Sequence, residues 1–409
     1  MTITRRHFLG STLAAAGALV LWPRLTVAAT GADARFVFVL LRGGLDGLEA
    51  VPPWGDPGYA AIRGALALSP AGAAAGAKAA HKLDATFALH PALAYAAELY
   101  AAGEFMPLVA AAPPYWGRSH FDAQDCVENG TGAPHGAQTG WLNRCVAALP
   151  GARGLAVASV MPLCMRGPAR VDAWSPPLPT AVSPVWLQRL QPLYAADPAL
   201  RGAFEQALAA QSADTTMALR HGMASARGTR GQLPMLLAAA GGFMGKPDGS
   251  RIAFVEDSGW DTHANEAAIL RRKLAELDAG LKACRDAIGD AWHRTVMVIA
   301  TEFGRTAAIN GTGGTDHGTG GMLFLAGGAI AGGRVAGNWP GIGRRALYQG
   351  RDLHATTDLR AVFKGVLSAH LGVAEAALET AVFPGSKQVR MLEGLVATRS
   401  KSARMTAVT

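Results

Sequence analysis

Cysteine is scarce in this chain of 409 residues, which holds four and no Cys-x-x-Cys pair. Four cysteines are too few for a disulfide scaffold in so long a chain, although one bridge among the first three is allowed. The missing pairs also disfavour a cysteine-based metal site. The four are Cys126, Cys145, Cys164 and Cys284.

Dense blocks of lysine and arginine are missing as well, although basic residues number 38 against 30 acidic ones. The surplus is spread along the chain, which disfavours nucleic acid as a partner. The dinucleotide-binding spacing G-x-G-x-x-G is also absent from the glycine-rich turn at residues 42–47. Prolines interrupt the residues that follow, where that motif needs a helix, so a dinucleotide cofactor is disfavoured too.

Long apolar runs are missing from the chain after the N-terminal region: no run there reaches the ~20 residues that a membrane span needs. The N-terminal region carries Arg5 and Arg6, an apolar run over residues 13–21, and the small residues Ala28 and Ala29. This order is typical of a twin-arginine (Tat) signal peptide over residues 1–29, with an uncleaved anchor as the alternative. We therefore expect a periplasmic or secreted protein whose export partner is the Tat translocase.

The mature chain has enough residues for a large core. Removing residues 1–29 takes away three arginines and no acid, leaving 35 basic against 30 acidic residues and a net charge of +5. No linker clearly divides what remains, so we expect one domain over residues 30–390 and a basic tail over residues 391–409. Residues 172–241 carry no recognisable chemistry and are interpreted as a helical insertion that caps the site.

Continuous apolar runs without polar alternation are typical of strands buried on both faces, as in parallel sheets. Such runs occupy residues 36–41, 105–112, 251–256 and 295–301. Between the last two, apolar residues recur at spacings of four and three from Leu270 to Ile288, which predicts an amphipathic helix. This βαβ unit predicts an α/β fold with a mainly parallel sheet and helices on both faces.

Acidic and imidazole side chains follow these runs. Asp46 comes after the first, Asp261 and His263 come after the third, and Glu302 comes after the last. Because ligands bind beyond the carboxyl ends of parallel strands, these side chains are candidate ligands of a divalent ion. The alternatives are a solvated Asp46 in a tight turn and a Glu302 that only pairs with Arg305.

Two further segments carry candidate chemistry. Ser119 stands where a helix should begin, so its hydroxyl is either a helix cap or a nucleophile that uses the helix amides. Arg118 beside it is a candidate anion clamp, and His120 is a candidate ligand or base. A glycine-rich loop after the last strand holds Asp316 and His317.

Five segments together resemble the signature segments of an uncharacterised bacterial family, domain of unknown function 1501. They occur in that family's order over nearly the whole mature chain, at residues 42–47, 118–121, 259–263, 302–305 and 314–318. The family is similar, more distantly, to the alkaline phosphatase and sulfatase superfamily. That resemblance implies a three-layer, alkaline-phosphatase-like sheet with two divalent metals and a nucleophile that opens a helix.

The resemblance also implies roles for the candidate residues. It implies a metal-dependent hydrolase that acts on small phosphate or sulfate esters through Ser119, with Arg118 or Arg305 gripping the anion and His120 or His317 protonating the leaving group. The sulfatase maturation motif Cys-x-Pro-x-Arg is absent, which disfavours formylglycine. The implied metal ligands are Asp46, Asp261, His263, Glu302, Asp316 and His317.

This sequence departs from the superfamily pattern at two points. The spacing of Asp261 and His263 is short, and Phe303 stands where relatives place a histidine. We expect one or two ions from the resemblance, but these departures put the second ion in doubt and leave open one ion or none. Zinc is expected first, with manganese, magnesium or calcium as alternatives. The rival interpretation is a non-catalytic exported protein that keeps the fold for binding or assembly.

Overall fold

A computed structural model describes residues 33–70, 79–176, 184–195, 201–202, 204–205 and 232–397. The predicted signal peptide, much of the predicted cap and residues 398–409 of the predicted tail lie outside the described residues. Within the range of the predicted cap, the structure includes a helix at Pro184–Ala195.

Strands of the described residues form one sheet of eight strands and a second of three. Their bounds are β1 (Arg35–Arg42), β2 (Ser69–Pro70), β3 (Ala79–Lys82), β4 (Ala88–Leu89), β5 (Phe105–Ala112), β6 (Gly154–Val157), β7 (Val171–Trp174), β8 (Ile252–Ser258), β9 (Thr295–Ala300), β10 (Gly321–Ala326) and β11 (Thr357–Asp358). The order in the large sheet is β11-β5-β10-β9-β1-β8-β6-β7, and the small sheet joins β2, β3 and β4.

Most neighbours in the large sheet are parallel. Strand β1 lies parallel to both β8 and β9, and β6 lies parallel to β7 and β8. The exception is β10, which runs antiparallel to β5 and β9. The predicted mainly parallel α/β sheet is therefore confirmed.

Helices cover both faces of this sheet. Their bounds are α1 (Gly47–Ala50), α2 (Tyr59–Arg63), α3 (Ala94–Ala101), α4 (His120–Asn129), α5 (Trp141–Ala147), α6 (Pro184–Ala195), α7 (Gln232–Met244), α8 (Glu266–Ile288), α9 (Leu359–Leu371) and α10 (Glu375–Ala377). Shorter turns lie at Gly64–Leu66, Leu163–Met165, Gly289–Arg294 and Leu378–Val382.

The central strand β1 divides the core into two layers, because successive side chains of a strand point to opposite faces. Val39 belongs to the cluster that includes Leu274 of α8. Phe38 belongs to the other cluster, where its ring lies 5.5 Å from that of Trp141 in α5 and 5.2 Å from that of Phe363 in α9. This helix–sheet–helix arrangement is the predicted three-layer architecture.

Helix α8 brings the ends of two strands together. Its buried face is the one predicted from the apolar spacing, formed by Leu270, Leu274, Leu277, Leu281, Cys284 and Ile288. The helix carries the chain from β8 to β9, which flank β1 on either side. In the register, Arg42 lies beside Ser258, and Leu40 lies beside Ala300. The loops that follow these three strands therefore open at one edge of the sheet.

All four cysteines are free and buried, so the bridge allowed by the sequence is not formed. Among the described residues, no helix combines the length and apolar character of a membrane span.

Candidate functional site

Four side chains converge at the carboxyl edge of β1, β8 and β9. His120 is the first residue of α4, Asp261 and His263 lie in the loop after β8, and His317 lies in the loop before β10. Ring nitrogens of His120 and His317 are 3.0 Å apart, and those of His263 and His317 are 2.9 Å apart, each through Nε2.

The Asp261 carboxylate completes this group. Its Oδ1 lies 3.0 Å from His263 Nε2 and 3.3 Å from His317 Nε2. Its Oδ2 lies 3.5 Å from His120 Nε2. His120, Asp261 and His317 offer ligand atoms that all lie within 4.8 Å of one another, and His263 contacts two of the three. We call these four side chains the histidine cluster.

An acceptor holds the far nitrogen of each ring. Glu302 Oε1 lies 2.7 Å from His120 Nδ1, and Asp316 Oδ1 lies 3.2 Å from His263 Nδ1. The third acceptor is a backbone carbonyl, that of Arg118, at 3.0 Å from His317 Nδ1. Carboxylate and carbonyl oxygens accept, so Nδ1 carries the proton in each ring and the Nε2 lone pair faces the cluster.

The donor set fits a divalent transition ion. Two unprotonated Nε2 atoms cannot hydrogen-bond to each other, so rings that face each other at 2.9 Å and 3.0 Å repel unless one ring is protonated or a cation lies between them. Tetrahedral zinc with bonds of ~2.0–2.1 Å separates its ligand atoms by ~3.3 Å. The five contacts given above, 2.9–3.5 Å, bracket that value, with His120 reaching Asp261 through Oδ2 and the other two rings through Oδ1. The group whose ligand atoms all lie within 4.8 Å of one another is His120, Asp261 and His317. Three imidazoles and one carboxylate suit zinc or manganese better than calcium.

Glu302 is fully buried and orients His120 instead of joining the cluster. Its Oε1 accepts from His120 and also from the Gly43 amide at 2.8 Å and Gln124 Nε2 at 2.7 Å. Burial alone would raise the pKa of Glu302, but the hydrogen bonds from His120, Gln124 and Gly43 outweigh it and hold the pKa below its usual range. The carboxylate is therefore ionised behind the ring.

The pKa values of two cluster histidines shift in opposite directions. The hydrogen bond to Glu302 raises the pKa of His120, against the opposing effect of burial. Burial, followed by the charge of His120, lowers the pKa of His317. His317 is thus favoured as a neutral ring, the form that binds a metal.

Arg305 holds Asp261 and is not available as an anion clamp. Its fully buried guanidinium forms an ion pair with Asp261 Oδ1 and donates from Nε to Thr315 Oγ1 at 3.2 Å. It also donates to the carbonyls of Thr315 and Gly43. Burial would raise the pKa of Asp261, but the hydrogen bond and charge of Arg305, with the charges of His263 and His120, together outweigh burial, so the carboxylate stays charged.

In the segment at residues 118–120, Arg118 has contacts that the sequence did not predict, whereas Ser119 and His120 stand where the sequence placed them. Arg118 pairs with the buried Asp352 through Nε at 2.9 Å and Nη2 at 2.7 Å, and Nη2 also reaches Gln349. Ser119 is the N-cap of α4, with its hydroxyl accepting from the Asp122 amide at 3.5 Å. His120, predicted as a ligand or a base, lies among the ligand candidates.

Asp46 also has contacts other than those predicted. It caps α1, accepting from the Leu48 amide, and its Oδ2 lies 2.5 Å from the guanidinium of Arg63. Burial would raise the pKa of Asp46, but the charge and hydrogen bond of Arg63, with hydrogen bonds from Glu266 and the Glu49 amide, together outweigh burial and hold the pKa down. The guanidinium of Arg63 therefore occupies the position beside Asp46 Oδ2 where a metal ion would otherwise bind.

Sequence reasoning missed several residues that support the cluster. Gln124 lies one helical turn after His120, and this i, i+4 spacing was a usable signal. Arg63 gave no such signal, because a buried arginine looks ordinary in a sequence, and Thr315 lay inside the signature segment at residues 314–318 without a predicted role. Glu266 is also fully buried next to Arg63, and burial together with the charge of Asp46 raises its pKa to about 10.

Comparisons with solved structures find distant likenesses. A protein in the alkaline phosphatase superfamily from Vibrio parahaemolyticus is 10% identical, with a TM-score of 0.37, over 73% of this chain and 61% of its own. A 2-O GAG sulfatase is 10% identical, with a TM-score of 0.36, over 88% and 73%. TAB5 alkaline phosphatase, as a mutant with Mg bound, is 9% identical, with a TM-score of 0.33, over 74% and 94%. All three TM-scores are below 0.5, so the functional proposal rests on the residues of this chain.

A search of the curated proteins finds no match. A family model described as "Protein of unknown function (DUF1501)" matches residues 114–375, well over half of the chain. Four of the five segments that carried the resemblance lie inside that range. The chain therefore belongs to the DUF1501 family.

Proposed function

We propose that this protein is an exported, metal-dependent hydrolase of phosphate or sulfate esters. The observation that carries the proposal is the convergence of three Nε2 atoms and the Asp261 carboxylate, with every far ring nitrogen held by an acceptor. Such outer partners are typical of metal-binding histidines, because they fix the tautomer and the ring orientation.

A divalent ion, with zinc first in order, would polarise an ester oxygen and neutralise the charge of the anionic substrate. His120, His263, His317 and Asp261 would hold it. Their contribution is to orient the lone pairs before the ion arrives, since Glu302 and Arg305 are buried and already fixed. The number of ions proposed is one, because Arg63 supplies the cation at Asp46.

Ser119 is the proposed nucleophile. It precedes the ligand candidate His120 and stands at the N-terminus of α4, where helix amides favour a developing negative charge. Its hydroxyl makes a long cap contact of 3.5 Å to the Asp122 amide and a hydrogen bond to the Tyr115 side chain, and it would give up both contacts on turning towards a substrate.

Metal content and turnover test the proposal together. Purified protein should contain close to one zinc or manganese ion, and it should hydrolyse an aryl phosphate or an aryl sulfate. His317→Ala should lose both the ion and the activity. Ser119→Ala should keep the ion and lose turnover by roughly 10³-fold or more, as expected for removal of a nucleophile. Full turnover by Ser119→Ala would refute the nucleophile, and a metal-free wild type would refute the proposal.

A second candidate is a non-catalytic metal-holding protein for binding or assembly. Two observations favour it: four protein side chains are enough to close a tetrahedral site, and both candidate clamps, Arg118 and Arg305, are already paired. In that case the wild type would contain the ion and turn over neither ester, while His317→Ala would lose stability together with the ion.

A further inference from the structure

Thr315 lies at a junction behind the histidine cluster. Its hydroxyl donates to Glu266 Oε2 at 2.7 Å and accepts from Arg305 Nε at 3.2 Å. Its carbonyl accepts from Arg305 Nη2, and its amide donates to the Thr262 carbonyl at 3.1 Å. One fully buried residue thus uses its hydroxyl, carbonyl and amide to join three parts of the site.

The contacts of Thr315 connect both loops that carry the ligands. Thr262 lies between Asp261 and His263, and Thr315 is two residues before His317. The hydrogen bond from the Thr315 amide to the Thr262 carbonyl therefore helps to set the distance between the two loops. The bonds to Arg305 fix the guanidinium that in turn holds Asp261 Oδ1.

We propose that Thr315 is a positioning residue, which acts through Arg305 to present the Asp261 carboxylate to the ion. This inference rests on the proposed metal site. The physical reason is that the N–H donors of a guanidinium point in fixed directions. A buried arginine is therefore held in a single orientation as long as each donor has an acceptor. Without the hydroxyl, Arg305 Nε and Glu266 Oε2 both lose a buried partner, and the fork can rotate away from Asp261.

The role depends on the hydroxyl and not on the volume of the side chain. Thr315→Val keeps the shape and removes the hydroxyl, whereas Thr315→Ser keeps the hydroxyl and removes a methyl group. A matched control is Thr295→Val, because Thr295 is also fully buried and its hydroxyl donates to the Ala291 carbonyl at 2.7 Å, at the start of β9. It lies at the end of the strand remote from the histidine cluster.

The experiment measures the dissociation constants of zinc and cobalt(II) for the wild type and these variants, by competition with a chelator, and records the cobalt(II) absorption spectrum. Thr315→Val should bind ~10- to 100-fold more weakly, the usual effect of losing an outer partner. Its cobalt spectrum should change, because one ligand is displaced. Thr315→Ser should restore both the affinity and the spectrum, and Thr295→Val should leave both unchanged.

A second variant tests the same inference if Thr315→Val does not fold. Arg305→Lys retains a cation for Asp261 but has no fork to reach Thr315, so it should weaken binding in the same range. Wild-type affinity and spectrum in Thr315→Val, or in Arg305→Lys if only that variant folds, would overturn the inference. So would an equal loss in Thr295→Val, or a Thr315→Ser that fails to restore binding. A wild type that binds neither ion would overturn the proposed function itself, which is a distinguishable result.

Discussion

Glu302→Gln tests whether a buried carboxylate sets the strength of the metal site. Glu302 Oε1 accepts from His120, Gln124 and Gly43, whereas Oε2 has the Thr301 hydroxyl at 3.0 Å. A glutamine fits this arrangement when its oxygen takes the Oε1 position and its amide group faces the Thr301 oxygen. The variant should therefore fold, with its neighbours still paired.

The main effect of the substitution is therefore the loss of the negative charge at residue 302. The bond from His120 Nδ1 becomes a neutral one, and hydrogen bonds to a charged partner are roughly twice as strong as neutral ones. His120 consequently becomes a poorer donor to the ion. Because the ring stays oriented, the loss should lie at the weak end of the outer-partner range, about tenfold in the dissociation constant, or ~1.4 kcal/mol.

The assay is a zinc competition titration of wild type, Glu302→Gln and a control. Glu104→Gln serves as that control, because Glu104 is partly buried and, like Glu302, accepts from a ring nitrogen, here Trp292 Nε1 at 3.0 Å. The control should bind zinc as the wild type does. Equal affinities for wild type and Glu302→Gln would show that Glu302 does not tune the ring, and the orientation argument for His120 would fail.

Three further predictions follow from the same contacts. Asp46→Asn should lower the free energy of unfolding by ~3–5 kcal/mol, because it leaves Arg63 buried without its main charge partner. The zinc affinity should stay unchanged, and a loss of zinc binding would show that Asp46 is a ligand. Removal of the bound ion by a chelator should lower the free energy of unfolding by ~2.7 kcal/mol, relative to protein with the free ion at a hundred times its dissociation constant. An unchanged melting temperature would contradict the proposed metal site. The cysteine thiols should not react with a thiol reagent at pH 8 until the protein unfolds, because burial raises the pKa of Cys126, Cys145 and Cys284 to about 12 and holds that of Cys164 well above its usual value. Fast labelling of the folded protein would contradict that burial.

The central sheet could be predicted because its signals are local. The apolar runs at residues 36–41 and 295–301 became β1 and β9, with bounds within two residues. The helix between β8 and β9 followed from a spacing that only one helical face satisfies. The direction of β10 could not be predicted, since its apolar residues would suit a parallel or an antiparallel strand equally well.

The candidate site was predictable only in its position. Strand ends and the right-handed crossover were enough to expect Asp261, His263 and Glu302 at one edge of the sheet. Their separate roles, as ligand candidates or as a residue that orients a ligand candidate, could not be predicted, because these roles depend on partners that are distant in the sequence. Glu302 turns away from the cluster because His120, 182 positions away in the chain, takes its Oε1.

The same distances bear on how the ion and the fold depend on each other. His120 and His317 are 197 positions apart, and His263 and His317 are 54 apart, so an unfolded chain offers no preformed group of ligands. Glu302 and Arg305 also reach their partners across long stretches of the chain, and without them the rings and Asp261 have no fixed orientation. Binding energy at such a site appears as folding energy. The ion should therefore stabilise the folded protein even if the site proves to be non-catalytic, and ester turnover alone separates the two functions.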